Sequence, residues 1–178
     1  MVSAQIKNAF ISIGEVHSTL LPASLVLKVG ISTQHIRYFV QSTLHNQIIF
    51  FGEYTLHHVE STGDLCQRLD KIFAKDDILQ LPFSKTCIGL DGPYSLLPGS
   101  LSFPSNALGF SQSIKHLDIN LVFEPDVDIV RKLRSLFEAA DIVHISSSLL
   151  NCFPAFIEKE QQKLFANIGQ NHFDIIMF

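Results

Sequence analysis

The chain has 178 residues, 47% of them hydrophobic and only 17% charged, and this length is enough to bury a core without disulfides or metal ions. Its formal net charge is −4, whereas nucleic-acid binding needs a basic patch, and no apolar run is long enough for a membrane-spanning helix. The three cysteines are widely spaced, as is typical of reduced thiols inside the cell. We therefore expect a cytoplasmic protein that binds neither nucleic acid nor membrane.

The first part of the chain predicts an antiparallel meander. Residues 9–13 are a candidate short strand, and residues 24–32 alternate between apolar and smaller or polar side chains with a period of two, which is typical of a strand. Residues 35–41 and 48–56 follow as two more strands after short polar turns. Strands joined in this way predict an antiparallel sheet.

A helix and a buried strand are predicted next. Ser61 and Asp64 fit the capping-box pattern at a helix start. The apolar stripe that follows at helical spacing comprises Leu65, Leu69, Ile72 and Phe73. Residues 86–90 are a short apolar run, which predicts a buried parallel strand. Residues 92–114 show no periodicity and are rich in Gly, Pro, Ser and Phe, so we predict a long connection or insertion there.

Residues 117–146 predict a strand–helix–strand unit. Residues 117–123 alternate like a strand, residues 127–137 carry an apolar stripe at helical spacing, and residues 141–146 form the next strand. If the two strands are parallel and share one sheet, the crossover between them should be right-handed.

The end of the chain is unusually apolar. A short helix is predicted over residues 149–156, and residues 164–168 and 173–178 predict a hairpin around a Gly-Gln-Asn turn. An exposed apolar strand invites pairing with another chain. The hairpin either docks on the main body, or pairs across a dimer, or belongs to a longer protein. We expect a protein partner or self-association through apolar surface and this terminal strand, and favour the view that the sequence is a fragment.

Four stretches carry a family resemblance, namely residues 25–40, 51–73, 92–98 and 143–150. The most specific motifs are an aromatic residue followed by Leu-x-Pro in the third stretch and a His-x-Ser-Ser-x-Leu-Leu run in the fourth. On these motifs the chain resembles an uncharacterised bacterial family of unknown function with an actin-like ATPase (ribonuclease H-like) fold. The implied fold class is α/β, with the order β-β-β-α-β followed by a strand–helix–strand unit and the start of a second similar domain.

The resemblance also implies a domain organisation. Residues 1–155 are expected to form the first actin-like domain, with residues 92–146 as its insertion or small subdomain. Residues 156–178 are expected to be the opening hairpin of a second domain, truncated here, because members of such a family normally continue beyond this point.

The resemblance implies that the first hairpin is where a nucleotide phosphate would bind. Actin-like ATPases typically carry an acidic residue on the first strand, which orders Mg²⁺ and its waters, and glycines at the turn that let backbone N–H groups approach phosphate. Lys28 stands where the acid is expected, and Gly30 alone remains of the glycines. We therefore expect no cofactor, no metal site and no catalytic residue. Gly30, Ser32 and Thr33 contact phosphate only under the alternative that a nucleotide binds, and otherwise form an ordinary polar turn.

Other candidate groups have structural explanations. Asp91 and Gly92 precede Pro93, and turn chemistry accounts for the trio. The adjacent His57 and His58 point opposite ways on a strand, and the sequence has no His-x₃-His or Cys-x₂-Cys spacing, so zinc binding is not expected.

His144 is the histidine of greatest interest, since it lies between apolar Val143 and Ile145 and precedes three serines. We expect a core or helix-entry histidine that is hydrogen-bonded locally. The serines at 146–148 are suited to capping a helix.

These patterns favour a protein without catalytic machinery. A ribonuclease H-type nuclease site needs several acids projecting from strands, and Glu53 alone is suitably placed. We predict a non-catalytic scaffold or protein-interaction module on a degenerate actin-like fold. The alternative is a nucleotide-binding actin-like protein with weak or absent ATPase activity.

Overall fold

The computed structural model describes residues 8–12, 24–101, 109–152, 164–168 and 173–177. The strands are β1 (Asn8–Ser12), β2 (Leu25–Ile31), β3 (His35–Ser42), β4 (Gln47–Thr55), β5 (Lys85–Leu90), β6 (Tyr94–Pro98), β7 (Phe110–Ile114), β8 (Ile119–Phe123), β9 (Asp141–His144), β10 (Leu164–Ile168) and β11 (Phe173–Met177). The helices are α1 (Thr62–Lys75), α2 (Val127–Leu136) and α3 (Ile145–Cys152), and a 3₁₀ turn, Lys115–Leu117, lies between β7 and β8.

A six-stranded sheet in the order β1-β4-β3-β2-β5-β9 is the largest element of the fold. Strands β2, β3 and β4 are an antiparallel meander, as predicted, and β1 extends it by pairing with β4. Strand β5 runs parallel to β2, and β9 runs parallel to β5. The predicted α/β class and its opening β-β-β-α-β order are therefore confirmed.

The period of two in β2 decides which face of this sheet is buried. Leu25, Leu27, Val29 and Ile31 are each at most 5% exposed, whereas Lys28 on the opposite face is exposed. The predicted apolar stripe of α1 is buried and belongs to the same hydrophobic core. The sequence pattern thus determines which face of the strand and which face of the helix are buried in this core.

The helices α1 and α2 begin side by side. The Ser61 hydroxyl accepts the Asp64 N–H at 3.2 Å, while the Asp64 carboxylate accepts the N–H of Glu60 at 3.4 Å. The predicted capping box is therefore present, with the acid reaching one residue before the cap. Asp126 caps α2 and also accepts a hydrogen bond of 2.7 Å from the Thr62 hydroxyl, which ties the two helix starts together.

The sequence predicts a long connection or insertion over residues 92–114 and misses two strands, β6 and β7, that lie within this stretch. They flank β8 on either side and form a separate three-stranded antiparallel sheet. Both are edge strands of five residues, and Pro98 stands at the end of β6, where an edge strand tolerates proline. Residues 102–108 lie outside the described residues.

The predicted strand–helix–strand unit is present, but its strands belong to different sheets. Strand β8 is in the three-stranded sheet and β9 in the six-stranded sheet, so the condition for a right-handed crossover is not met. Strand β9 ends at His144, and α3 follows at once, from Ile145 rather than from residue 149.

The terminal hairpin is confirmed, since β10 pairs with β11 in antiparallel register. Residues 153–156, which the sequence also predicts as helical, lie outside the described part of the chain. Within that part, no helix is both long and apolar enough to cross a bilayer.

Candidate functional site

Three parallel strands end together at one edge of the six-stranded sheet. In the register, Ile31 of β2 pairs with Leu90 of β5, and Leu90 pairs with His144 of β9. Ligands of open α/β sheets bind outside the carboxyl ends of parallel strands, so this is the candidate functional site. We call it the strand-end edge, and it comprises residues 30–35, 89–93 and 143–147.

The turn after β2 holds Ser32 and Thr33, two of the residues considered as phosphate contacts. The Ser32 hydroxyl accepts the N–H of His35 at 3.0 Å and that of Gln34 at 3.3 Å, and it donates to the His35 carbonyl at 3.2 Å. The Ser32 N–H donates to the same carbonyl at 2.9 Å. Thr33 is exposed. The serine side chain therefore satisfies N–H groups of the turn that an anion would otherwise use.

Gly30, the third of these residues, is covered by the start of α3. It pairs in register with Gly89, so the two glycines lie side by side in neighbouring strands. A Cβ atom at Gly30 would lie 3.4 Å from Cδ1 of Ile145, and one at Gly89 would lie 3.6 Å from Cγ1 of the same residue. Ile145 thus packs over the glycine surface that a phosphate group would need to approach.

Lys28 and Glu53, the charged side chains considered in the sequence, each lie against another group of the protein. Lys28 is exposed, and its Nζ atom lies 5.4 Å from the centroid of the Phe39 ring. Glu53, the acid considered for a nuclease site, has Oε1 at 2.7 Å from Nε of Arg37 and at 3.3 Å from Nδ1 of His35. The one suitably placed acid is therefore held in an ion pair with Arg37 beside the turn.

Asp91 and Gly92 form the turn that the sequence predicts. The Asp91 carboxylate accepts the N–H of Gly92 at 3.0 Å, and the Asp91 N–H donates to the Ile31 carbonyl at 3.0 Å. Both residues are exposed, and a Cβ atom at Gly92 would meet nothing within 4 Å.

His144 is buried, with 1% of its surface exposed. Its Nε2 atom lies 2.9 Å from the Gly92 carbonyl, and its Nδ1 atom accepts the Ser146 N–H at 3.1 Å. The expectation of a locally bonded core histidine at a helix entry is confirmed. The histidine ring, rather than a serine hydroxyl, accepts this N–H in the first turn of α3.

The part of the chain that the structure describes holds neither a cluster of metal-ligating side chains nor a thiol with a lowered pKa. Over those residues, no group of three or more His, Cys, Asp or Glu side chains is arranged to hold a metal ion. Cys66 and Cys87 are free, and burial raises the pKa of both thiols. A raised thiol pKa lowers the thiolate fraction at neutral pH.

A buried polar group that sequence reasoning missed joins the sheet to the end of α1. The Asp76 carboxylate accepts hydrogen bonds from the phenols of Tyr38 and, at 2.5 Å, Tyr54, and it also accepts the Ile78 N–H at 3.0 Å. Burial raises the pKa of both phenols far above the usual range, and the hydrogen bonds to Asp76 add to the effect. No local pattern signals this group, because its members are 22 and 38 residues apart.

Comparisons with known proteins agree with this fold. The model of a family described as "Protein of unknown function (DUF3822)" matches residues 18–178. A crystal structure from Bacteroides thetaiotaomicron VPI-5482, described as a protein with an actin-like ATPase fold and unknown function, is similar with a TM-score of 0.76 at 16% sequence identity. The similarity covers 88% of this chain and 66% of that chain, so this chain spans just under two thirds of its length. No curated protein matches.

Proposed function

We propose that this chain, which belongs to the DUF3822 family of proteins of unknown function, is a non-catalytic scaffold or protein-interaction module. Its fold is that of the actin-like ATPases, and in our proposal the nucleotide site of that fold is closed. The position of Ile145 over Gly30 and Gly89 carries this proposal. Because glycine has no Cβ atom, a phosphate group can approach its backbone closely. An apolar side chain packed over two such glycines blocks that approach.

The turn after β2 supports the same proposal. Phosphate sites use backbone N–H groups that have no partner inside the protein. Here the hydroxyl of Ser32 takes the N–H groups of Gln34 and His35. A phosphate at this turn would have to displace the serine, losing its hydrogen bonds to gain new ones.

The start of α3 supports it as well. A helix N-terminus binds anions through its first N–H groups. The N–H of Ser146 already donates to the ring of His144 at 3.1 Å. Groups of the protein itself thus cover the glycine backbone and bond the turn N–H groups and one N–H of the helix start, which are the features that attract phosphate in such a fold.

Several large apolar side chains on the outside support a role in protein association. Among the described residues, those with at least 40% of their surface exposed are Leu44, Ile48, Leu81, Leu96, Leu101, Val127 and Ile145. Single exposed apolar residues are ordinary, but Leu44 lies in the β3–β4 turn and Ile48 at the start of β4, and they are 65% and 42% exposed. We propose that the molecule works through such surfaces, with a protein partner or a second copy of itself.

Calorimetric titration with ATP and Mg²⁺ tests the closed site. The wild-type protein should give no saturable heat. Saturable binding would refute the proposal in favour of a nucleotide-binding protein. Its loss in Gly30→Ala and Ser32→Ala, with retention in Gly92→Ala, would then assign the nucleotide to the turn after β2 rather than to the turn after β5.

Light scattering tests the association. We expect a concentration-dependent rise in mass that the double variant Leu44→Ser, Ile48→Ser reduces. Val127→Ser is the matched control, because Val127 is also exposed, at 45%, but lies at the start of α2. A monomer at all concentrations would refute self-association and leave the partner to be a different protein.

A further inference from the structure

His144 contacts all three strands of the three-stranded sheet. Its ring centroid lies 4.6 Å from that of Tyr94 in β6 and 5.2 Å from that of Phe123 in β8. Its backbone N–H donates to the side-chain carbonyl of Gln112 in β7 at 2.9 Å. Because His144 is also the last residue of β9, it joins the three-stranded sheet to the six-stranded sheet.

The hydrogen bonds of the ring require one protonation state. A carbonyl oxygen accepts but does not donate, so the contact with Gly92 places a proton on Nε2 of His144. The N–H of Ser146 donates to Nδ1, so Nδ1 carries a lone pair and no proton. The ring between these two partners is therefore the neutral Nε2–H tautomer.

A second proton on this ring is incompatible with the arrangement. It would turn Nδ1 into a donor that faces another donor, the Ser146 N–H. The resulting positive charge would also lie at the start of α3, where the helix dipole is positive. The bond to Gly92 would remain, so of these two hydrogen bonds the one from Ser146 is lost and the one to Gly92 is kept.

Aromatic rings pack against this imidazole. Tyr94 of β6 is tilted against it at an interplanar angle of 48°, and Phe123 of β8 meets it edge-on. Gln112 of β7 and Ser147 of α3 bond the backbone N–H and the carbonyl of His144, and Asp91, the residue before Gly92, is the acid nearest in sequence to the carbonyl that the ring binds. The ring is 1% exposed, and because burial disfavours its charged form, it takes up a second proton when the two sheets separate there.

We propose that His144 is a proton-sensitive clamp, whose protonation releases the three-stranded sheet from the start of α3. Histidine is the side chain that changes charge between about pH 5 and 8. In the clamped state the ring is neutral, so the clamp is intact where free histidine is neutral, above about pH 6.5, and weakens as the pH falls below that value. One linked proton changes the clamping equilibrium by at most about tenfold per pH unit.

Amide hydrogen exchange tests this clamp, with rates expressed as protection factors so that the intrinsic effect of pH on exchange is removed. Between about pH 7.5 and about pH 5.5, the protection of β8 should fall by roughly tenfold. The protection of β3, which lies in the six-stranded sheet, should not change. An unchanged ratio of β8 to β3 protection over this range would overturn the proposal.

Two variants identify the histidine responsible. In His144→Gln the ratio of β8 to β3 protection should no longer depend on pH. In His116→Gln the dependence should persist, because His116 is an exposed histidine of the same sheet, in the turn between β7 and β8. Loss of the dependence in His116→Gln would also contradict the proposal.

If His144→Gln does not fold, nitrogen NMR of the wild-type ring decides the question. It should show the Nε2–H tautomer at neutral pH, and ring protonation should follow the same pH curve as the loss of β8 protection. An Nδ1–H tautomer, or protonation without loss of protection, would overturn the proposal.

Discussion

Removing the Asp76 carboxylate should destabilise the protein more than removing either of the phenols that it binds. Asp76 is 7% exposed, and Tyr38 and Tyr54 are 0% and 5% exposed, so solvent cannot replace a lost partner. In Asp76→Ala both phenol hydroxyls and the Ile78 N–H lose their acceptor. In Tyr38→Phe or Tyr54→Phe the carboxylate keeps two of its three donors.

The expected losses of unfolding free energy follow from the number of hydrogen bonds that each substitution removes. A hydrogen bond to a charged group contributes about 1.5–3 kcal/mol, so each Tyr→Phe change should lower the free energy of unfolding by about 2 kcal/mol. Asp76→Ala removes both of these hydrogen bonds, while the two phenols still interact with each other, so Asp76→Ala should cost about 4 kcal/mol. In the double variant Tyr38→Phe, Asp76→Ala, the phenol has already lost its partner. We therefore expect a coupling of about 2 kcal/mol between the two sites rather than additivity.

Urea denaturation followed by far-ultraviolet circular dichroism measures these free energies without relying on tyrosine fluorescence. Tyr94→Phe combined with Asp76→Ala is the matched control, because Tyr94 packs against His144 in another part of the molecule. The effect of Tyr94→Phe should be additive with that of Asp76→Ala. Additivity between Tyr38→Phe and Asp76→Ala, or a Tyr38→Phe cost below about 0.5 kcal/mol, would refute the reasoning.

Two further predictions concern the same tyrosines. A Cβ atom at Gly52 would overlap the ring of Tyr38, which lies opposite it in the register, so Gly52→Ala should cost about 2 kcal/mol in urea denaturation. Gly92→Ala, where the space is open, should change the free energy of unfolding by less than about 0.5 kcal/mol. Equal losses of stability at the two glycines would contradict the explanation. The raised pKa values of Tyr38 and Tyr54 mean that stability is intact below about pH 10, where unfolded tyrosine is neutral, and falls as the pH rises above it. Alkaline denaturation should therefore be less steep in Tyr38→Phe, Tyr54→Phe than in the wild type, by up to about tenfold in the unfolding constant per pH unit for each tyrosine, and an equal slope would contradict the raised values.

The strand-end edge was in part visible in the sequence. The replacement of an acid by Lys28 and the turn chemistry of Asp91 and Gly92 are local features, and the structure shows Lys28 exposed and the turn hydrogen-bonded as expected. The packing of Ile145 over Gly30 was not visible. It joins residues more than a hundred positions apart, which meet because β2 and β9 flank the same strand, β5.

Strand β7 shows why the second sheet was missed. Its sequence does alternate, with Phe110 and Ile114 on one face and Ser111 and Ser113 on the other. The central inward position is Gln112, a polar residue that breaks the apolar pattern because it binds the N–H of His144. A polar residue that binds a distant backbone group thus conceals the local signal of the strand.

The sequence by itself determined the elements that bury one face only and whose signals lie within a few neighbouring residues. The meander, the start of α1 at Ser61 and the terminal hairpin follow from period, capping and turn chemistry within a few neighbouring residues. The tertiary structure alone decided that β8 and β9 join different sheets, that Tyr38 and Tyr54 share Asp76, and that one histidine joins the two sheets through its ring and its backbone N–H. The physical reason is that side-chain periodicity records which face of an element avoids water, whereas the partner met on that face depends on how distant strands are ordered and paired.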